Sequence, residues 1–361
     1  MRQIVLQGPV AEIIKIDGKD YLYFGGTNYL GMASRPEVFE GAKRAIDRFG
    51  LSASASRTST GTNSLHLEVE SALSQFAGTE DAILLSSGYL AMQSTLEGLL
   101  QEDDFILLQD SAHPSIRQAV GLTGLPHSEF DVMSMDGVWP ALDVDKRVLV
   151  VAEGVSPLTG SVLPLPEILD LLQGRDFKIV IDDAHGLGVA GTTGRGTAEF
   201  HGCDTPDLIS CGTLSKAFGA FGGCVLPDRQ LSEGIRNRSL AYICASQPSA
   251  ADLGAALSAI ELVTSHPEIL ARLRDNVTML KKGLSRLGFP VEDNPIPIIP
   301  IRFDAAQAMA DLSEKLFLSG IVAPYITYPG SPKGGLIRLV VTATHTAEQI
   351  ETLLDSMARS I

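Results

Sequence analysis

A chain of 361 residues, 45% hydrophobic and 20% charged, has the make-up of an ordinary globular protein with room for more than one core. Its formal net charge of -15, with no long basic run, sets aside nucleic acid and anionic membrane as main partners. No apolar run reaches the ~18 residues of a membrane span, and the first residues carry neither the apolar stretch nor the cleavage site of a secretory leader, so a cytoplasmic location is expected.

Helical spacing first shows at residues 65–78, where Val69, Leu73 and Phe76 share a stripe and Gly78 stands as the C-cap. A short apolar run at 82–85 leads into Ser86, Ser87, Gly88 and Tyr89. A strand running into a helix start places the backbone N–H groups of Gly88 and Tyr89 where a phosphate binds. Alone, the pattern is better read as a plain strand–turn–helix junction. The run at 105–108 leads to Asp110-Ser-Ala-His113, whose imidazole either stacks on a planar ring or serves structure only.

The runs at 148–152 and 179–181 are again apolar throughout, and the second ends in Asp182-Asp183-Ala184-His185-Gly186. A carboxylate at a strand's C-terminal end lies where α/β sheets place ligands. Asp182 suits the pyridine nitrogen of pyridoxal 5′-phosphate (PLP), which needs a carboxylate to stay protonated, and His185 suits the cofactor's phenolic oxygen. A metal site or a helix N-cap would use the same residue types. Four cysteines, Cys203, Cys211, Cys224 and Cys244, form no C-x-x-C pair, and His201 beside Cys203 lacks a second ligand pair. Free thiols and no metal site are expected.

Runs at 208–210 and 223–226 flank Gly212-Thr-Leu-Ser-Lys216-Ala-Phe-Gly219. A lysine among small residues can pack against a planar ring, as a Schiff-base lysine must. A surface lysine in a Gly-rich loop has the same local sequence. The six apolar runs, separated by helix-length segments, predict an α/β fold with a mostly parallel sheet buried on both faces. After Pro248 a helical pattern is interrupted at Pro267 and resumes as far as Gly288. A small α+β domain follows, with strands near 298–303 and 336–341, a helix near 305–319 and a terminal helix from Ala347. The expected division is an N-terminal segment (1–40) packing with the small domain, a large domain (41–248), and a linking helix with the small domain (249–361).

The order and spacing of these motifs resemble the α-oxoamine synthase family of fold-type I PLP enzymes, from about Asn28 to His345. The marks are Asn28-Tyr-Leu-Gly31, Ser56-Arg57 with Thr60-Gly61-Thr62, His66 and Glu70, then Ser87-Gly88-Tyr89, His113 and Glu153-Gly154-Val155. They continue through the D-x-A-H-G of Asp182 to Gly186, Gly194-Arg-Gly196, the G-T-L-S-K ending at Lys216, Ile337-Arg338-Leu339 and His345-Thr346. The resemblance implies a large domain with a mostly parallel mixed sheet, a small C-terminal α+β domain, and a homodimer with active sites at its interface. It implies that Lys216 carries PLP as a Schiff base and later moves the α-proton. Asp182 would hold the pyridinium, His185 the phenolic oxygen and His113 the ring face. Ser87, Gly88, Tyr89 and Thr213 would bind the phosphate, Arg338 the substrate carboxylate, and Asn28 would lie near the substrate entrance. The implied reaction joins an amino acid to an acyl-CoA thioester, with decarboxylation in some members. An aminotransferase or lyase on the same fold is the alternative.

Two segments depart from the family pattern. After Glu153-Gly154-Val155 the family has an aromatic residue, serine, methionine, aspartate, glycine and aspartate, whereas this chain has Ser156-Pro157-Leu158-Thr159-Gly160-Ser161. The Ser/Thr pair that serves the partner subunit's phosphate is replaced by Ala245-Ser246-Gln247-Pro248, where Ser246 is the remaining candidate.

Overall fold

The first strands form a hairpin, β1 (Ile13–Ile16) and β2 (Lys19–Tyr23), turned by Asp17 and Gly18, whose φ values are 49° and 76°. Two residues at positive φ give the turn whose twist suits paired strands. The structure, a computed structural model, describes residues 4–132, 146–327 and 331–360. Helix α1 (Pro36–Phe49) begins on a proline, where the missing N–H costs nothing. Helix α2 (Ser64–Ala77) is capped by the Asn63 side chain and ends at Gly78, whose φ of 74° closes it as its sequence predicts.

Each apolar run expected as a strand is one. In chain order come β3 (Ile83–Leu85), α3 (Gly88–Leu99), β4 (Phe105–Gln109), α4 (Pro114–Thr123), β5 (His127–Phe130), β6 (Val148–Glu153), α5 (Leu165–Leu171) and β7 (Phe177–Asp182). Then come α6 (Thr197–His201), β8 (Leu208–Thr213), β9 (Gly223–Leu226), α7 (Arg229–Arg238) and α8 (Leu240–Cys244). Strands β3 to β9 make one seven-stranded sheet in the order β3-β9-β8-β7-β6-β4-β5. Strands β5, β4, β6, β7 and β8 run parallel, while β9 is antiparallel to both its neighbours.

The continuous apolar character of β6 has a direct cause. Leu149 and Val151 enter one hydrophobic cluster, with α3 and α4 residues such as Met92 and Ile116, while Val148, Val150 and Ala152 enter another with Leu165 and Ile168 of α5. Alternate residues of a strand face opposite ways, so a strand covered on both faces is apolar at every position. Strand β5 was not expected from sequence. It is an edge strand, His-Ser-Glu-Phe, with only Phe130 fully buried, and so it lacks an apolar run.

The rest of the chain is α9 (Ala250–Ser265), α10 (Glu268–Arg286), β10 (Ile298–Ile301), α11 (Ala306–Leu318), β11 (Ile321–Val322), β12 (Tyr325–Ile326), β13 (Leu336–Val340) and α12 (Ala347–Ser360). The break at Pro267 separates α9 from α10 as expected. Strands β10, β13 and β12 form a small antiparallel sheet, and β11 pairs in parallel with β2. The N-terminal hairpin is thus completed by a strand from the C-terminal region. Helices α1 and α9 cross at Gly41 and Gly254, where an added Cβ would stand 2.6 Å and 2.4 Å from the facing glycine's carbonyl oxygen. All four cysteines are free thiols.

Candidate active site

Parallel strands in register end together. Glu153 of β6 is paired with Asp182 of β7, and Asp182 with Cys211 of β8. The loops that leave these ends enclose a cavity of about 290 Å³, lined among others by Gly88, His113, Glu153, Asp182, His185 and Lys216. Residues from five separate stretches of sequence converge there because their strands share one sheet edge.

The turn from β3 to α3 supplies one wall. Ser87 is the N-cap, its hydroxyl accepting from the Leu90 amide. Gly88 and Tyr89 open the helix, where the first N–H groups have no intrahelical acceptor. An added Cβ on Gly88 would lie 2.9 Å from the Thr213 Cβ, so only glycine lets α3 and the end of β8 meet this closely. The Thr213 hydroxyl donates to the Gly222 carbonyl at 2.9 Å, and Ser215 Oγ lies 2.9 Å from it. These four backbone and hydroxyl positions form a cradle for an anion, at the positive end of α3.

His113 caps α4, its Nδ1 accepting from the Ser115 amide at 3.2 Å. Burial and the nearby Lys216 hold its pKa below the usual histidine value, against the pull of Asp182. The two adjacent aspartates have different roles. Asp182 opens into the cavity and accepts from the Ala184 amide at 3.1 Å. Asp183 is buried and accepts 2.7 Å bonds from the Thr197 amide and hydroxyl, which fasten the start of α6. Desolvation raises the pKa of both.

Lys216 reaches across to His185, with Nζ 2.8 Å from Nε2. Burial, helped by Arg338, lowers the lysine to about 8, while Asp182 and Glu153 oppose the shift. Burial first, and then the neighbouring Lys216 and Arg338 side chains, hold the pKa of His185 well below the usual histidine value. Its Nδ1 lies 2.7 Å from the hydroxyl of Tyr29, a fully buried residue. Arg338, on β13, is 8% exposed and donates to three oxygens, the carbonyls of Pro157 and Gly26 and the Tyr29 hydroxyl. No carboxylate among the described residues forms an ion pair with it, so its charge is available to an anionic ligand.

Of the residues expected from sequence, Ser87, Gly88, Tyr89, His113, Asp182, His185, Thr213 and Lys216 line this one cavity. Asn28, Ser246 and Arg338 do not line it, and Arg338 connects to it through the Tyr29 hydroxyl, which contacts His185. The Asn28 amide donates to the Val10 carbonyl and accepts from the Ala33 amide. Ser246 lines a separate depression with Ser54, Ser56 and His66. Two further residues belong to the site. Glu153 ends an apolar strand just as Asp182 does, and that signal could have found it. Burial and the neighbouring Asp182 raise its pKa to about 8. Tyr29 stood within the Asn28-Tyr-Leu-Gly31 mark but was given no role, since only the tertiary fold carries it to His185. Among the described residues, no group of three or more His, Cys, Asp or Glu could hold a metal ion.

A family model described as aminotransferase class I and II matches residues 19–357. The chain belongs to that family. The 8-amino-7-oxononanoate synthase of Thermosipho melanesiensis is 34% identical over 98% of this chain and 92% of its own. That of Bacillus velezensis is 32% identical over 98% and 91%. Among solved structures, Sphingomonas wittichii serine palmitoyltransferase aligns with a TM-score of 0.92 at 30% identity, over 99% of this chain and 91% of its own. The S. paucimobilis enzyme with a PLP–myriocin aldimine aligns with a TM-score of 0.91 at 28% identity, over 98% and 92%. The aminotransferase-family fold here is therefore the fold-type I arrangement, with relatives in its α-oxoamine synthase branch. No helix among the described residues is long and apolar enough to cross a membrane.

Proposed function

We propose that this protein is a PLP-dependent acyltransferase of the α-oxoamine synthase type. It would condense an amino acid with an acyl-CoA thioester, with loss of CO2, to give an α-amino ketone, as an 8-amino-7-oxononanoate synthase or 2-amino-3-ketobutyrate CoA ligase does. The observation that carries this reading is the convergence of Lys216, Asp182 and His185 on one cavity beside the N-terminus of α3.

The residues fit PLP in three ways. The Gly88–Thr213 cradle suits the phosphate, with Ser87 and Tyr89 beside it. Asp182 lies at the cavity floor, where a carboxylate can keep a pyridine nitrogen protonated. Lys216 has the lowered pKa that an amine nucleophile needs near neutral pH. When bound, PLP supplies an electron sink conjugated to the substrate's α-carbon.

The chain's own groups would do the rest. His113 covers the ring face, and His185 donates to the phenolic oxygen. Arg338 binds the substrate carboxylate through its planar guanidinium. Lys216, as a free amine, would take the α-proton. Asn28 acts at one remove: by tying Val10 and Ala33 together it fixes the turn that presents Tyr29.

A cytoplasmic homodimer is part of the same reading, with Ser246 serving the phosphate of a second copy. The division at about residues 40 and 248 is likewise a proposal, supported by the pairing of β2 with β11. An aminotransferase remains the second reading because the 156–161 segment departs from the family pattern, and the Pro157 carbonyl holds Arg338. One screen separates the two. Protein reconstituted with PLP is given glycine, alanine or serine with short, medium and long acyl-CoAs. CoA release that requires both substrates is expected, and its absence across the panel would sink the acyltransferase. Conversion of the cofactor to pyridoxamine phosphate by an amino acid alone would establish the aminotransferase instead.

A further inference from the structure

Arg338, Tyr29, His185 and Lys216 form an unbroken hydrogen-bonded row. Arg338 Nη2 lies 3.3 Å from the Tyr29 hydroxyl, that oxygen 2.7 Å from His185 Nδ1, and His185 Nε2 2.8 Å from Lys216 Nζ. The first member biases the direction. A guanidinium only donates, so it occupies a lone pair of the Tyr29 oxygen. A cation there also makes the phenol a better donor, and the shorter of these two bonds runs to Nδ1. A neutral imidazole that accepts at Nδ1 must carry its proton on Nε2. That N–H points at the lysine nitrogen, which can accept it only as a free amine.

We propose that Tyr29 is a positioning residue: by donating to Nδ1 it fixes His185 as the Nε2–H tautomer, and so shifts Lys216 toward its unprotonated amine. The significance for capture rests on the PLP reading above. A free amine adds through its lone pair to an aldehyde carbon; the C=O bond is replaced by C=N, and the oxygen leaves as water with the amine's two hydrogens. An ammonium group cannot do this.

Other charges face Lys216 from each neighbouring element. Asp182 on β7 and Glu153 on β6 favour its ammonium form, while Arg338 on β13 and burial oppose it. His113, at the start of α4, is electrostatically coupled to it as well. The tyrosine relay adds to the opposing side a hydrogen bond that only the neutral amine can accept. Without the phenol, the proton can move to Nδ1, and the bare Nε2 would then accept from an ammonium.

The test uses full-chain protein freed of PLP. Nitrogen-15 spectra of labelled histidine should show His185 in the Nε2–H form, and the Nδ1–H form would overturn the proposal without any variant. Lys216 reactivity toward limiting acetic anhydride is then followed against pH, by mass spectrometry of its peptide. The midpoint is expected near the lysine's value of about 8. Tyr29→Phe should raise it by about one pH unit, a tenfold smaller fraction of free amine at neutral pH. An unchanged midpoint in folded Tyr29→Phe would refute the relay. Borohydride trapping of PLP on Lys216 in the unaltered protein is read separately. If no adduct forms, the PLP reading fails while the tautomer and labelling results still decide the role of Tyr29.

Discussion

At the scale of single residues, the site places acids and bases where water cannot level them. Glu153 is 6% exposed and its carboxyl is raised to about 8. A carboxyl raised above its unfolded value contributes stability that is fully present below about 4.5 and is lost as pH rises through about 8. Glu153→Gln, which is neutral throughout, should flatten the fall in melting temperature between those pH values, and a fall as steep as in the unaltered protein would contradict this. Under the proposed reaction, Arg338 would offer its charge to a substrate carboxylate from a nearly buried position. A charge-assisted hydrogen bond is worth roughly 1.5–3 kcal/mol. Arg338→Gln should therefore raise KM for the amino acid roughly ten- to a hundredfold while leaving PLP absorbance intact. Steady-state kinetics with the amino acid varied will check it.

At the scale of elements, the crossing of α1 and α9 depends on two glycines. Either methyl group would meet backbone oxygen well inside contact distance, 2.6 Å at Gly41 and 2.4 Å at Gly254. Backbone cannot swing aside as a long side chain can, so the helices must separate. Gly254→Ala is expected to cost about 1–3 kcal/mol, the usual range for an overpacked core, and denaturant unfolding will measure it. The segment between Arg57 and Thr62 is held in a different way. Arg57 makes a two-pronged bond to Glu70 of α2, at 3.1 and 3.0 Å, with both side chains at most 5% exposed. Glu70 also accepts from the Leu84 amide. Glu70→Ala would leave the guanidinium buried and uncompensated, at a cost of about 3–5 kcal/mol. Loss of cooperative unfolding or a marked drop in melting temperature is the expected result.

At the scale of the whole molecule, ligand binding and folding are linked. PLP bound only by the folded chain should stabilise it by about 2.7 kcal/mol at a hundred times Kd. Melting temperature should rise with PLP concentration, and Lys216→Ala should weaken that rise because the covalent attachment is gone.

The sequence by itself determined the strands and the helices beyond Pro248, because a strand covered on both faces and a helix with one apolar stripe each leave a local pattern. It also determined the motif residues at strand ends, because the parallel sheet turns a position after an apolar run into a position beside the cavity. It did not show the hairpin strands β1 and β2, the edge strand β5 or the two-residue strands β11 and β12, which are short elements without a continuous apolar run. Residue type alone does not separate Asp182 from Asp183; the D-x-A-H-G pattern named Asp182, and that is the one of the two that lines the cavity. Only the tertiary structure decided that Arg338, nearly two hundred residues beyond Glu153, stands with Tyr29 and His185 in one hydrogen-bonded row. It also decided that Asn28 and Ser246 stand outside their own chain's cavity. These depend on long-range docking of the small sheet and the N-terminal hairpin, and no local pattern of side chains encodes that distance.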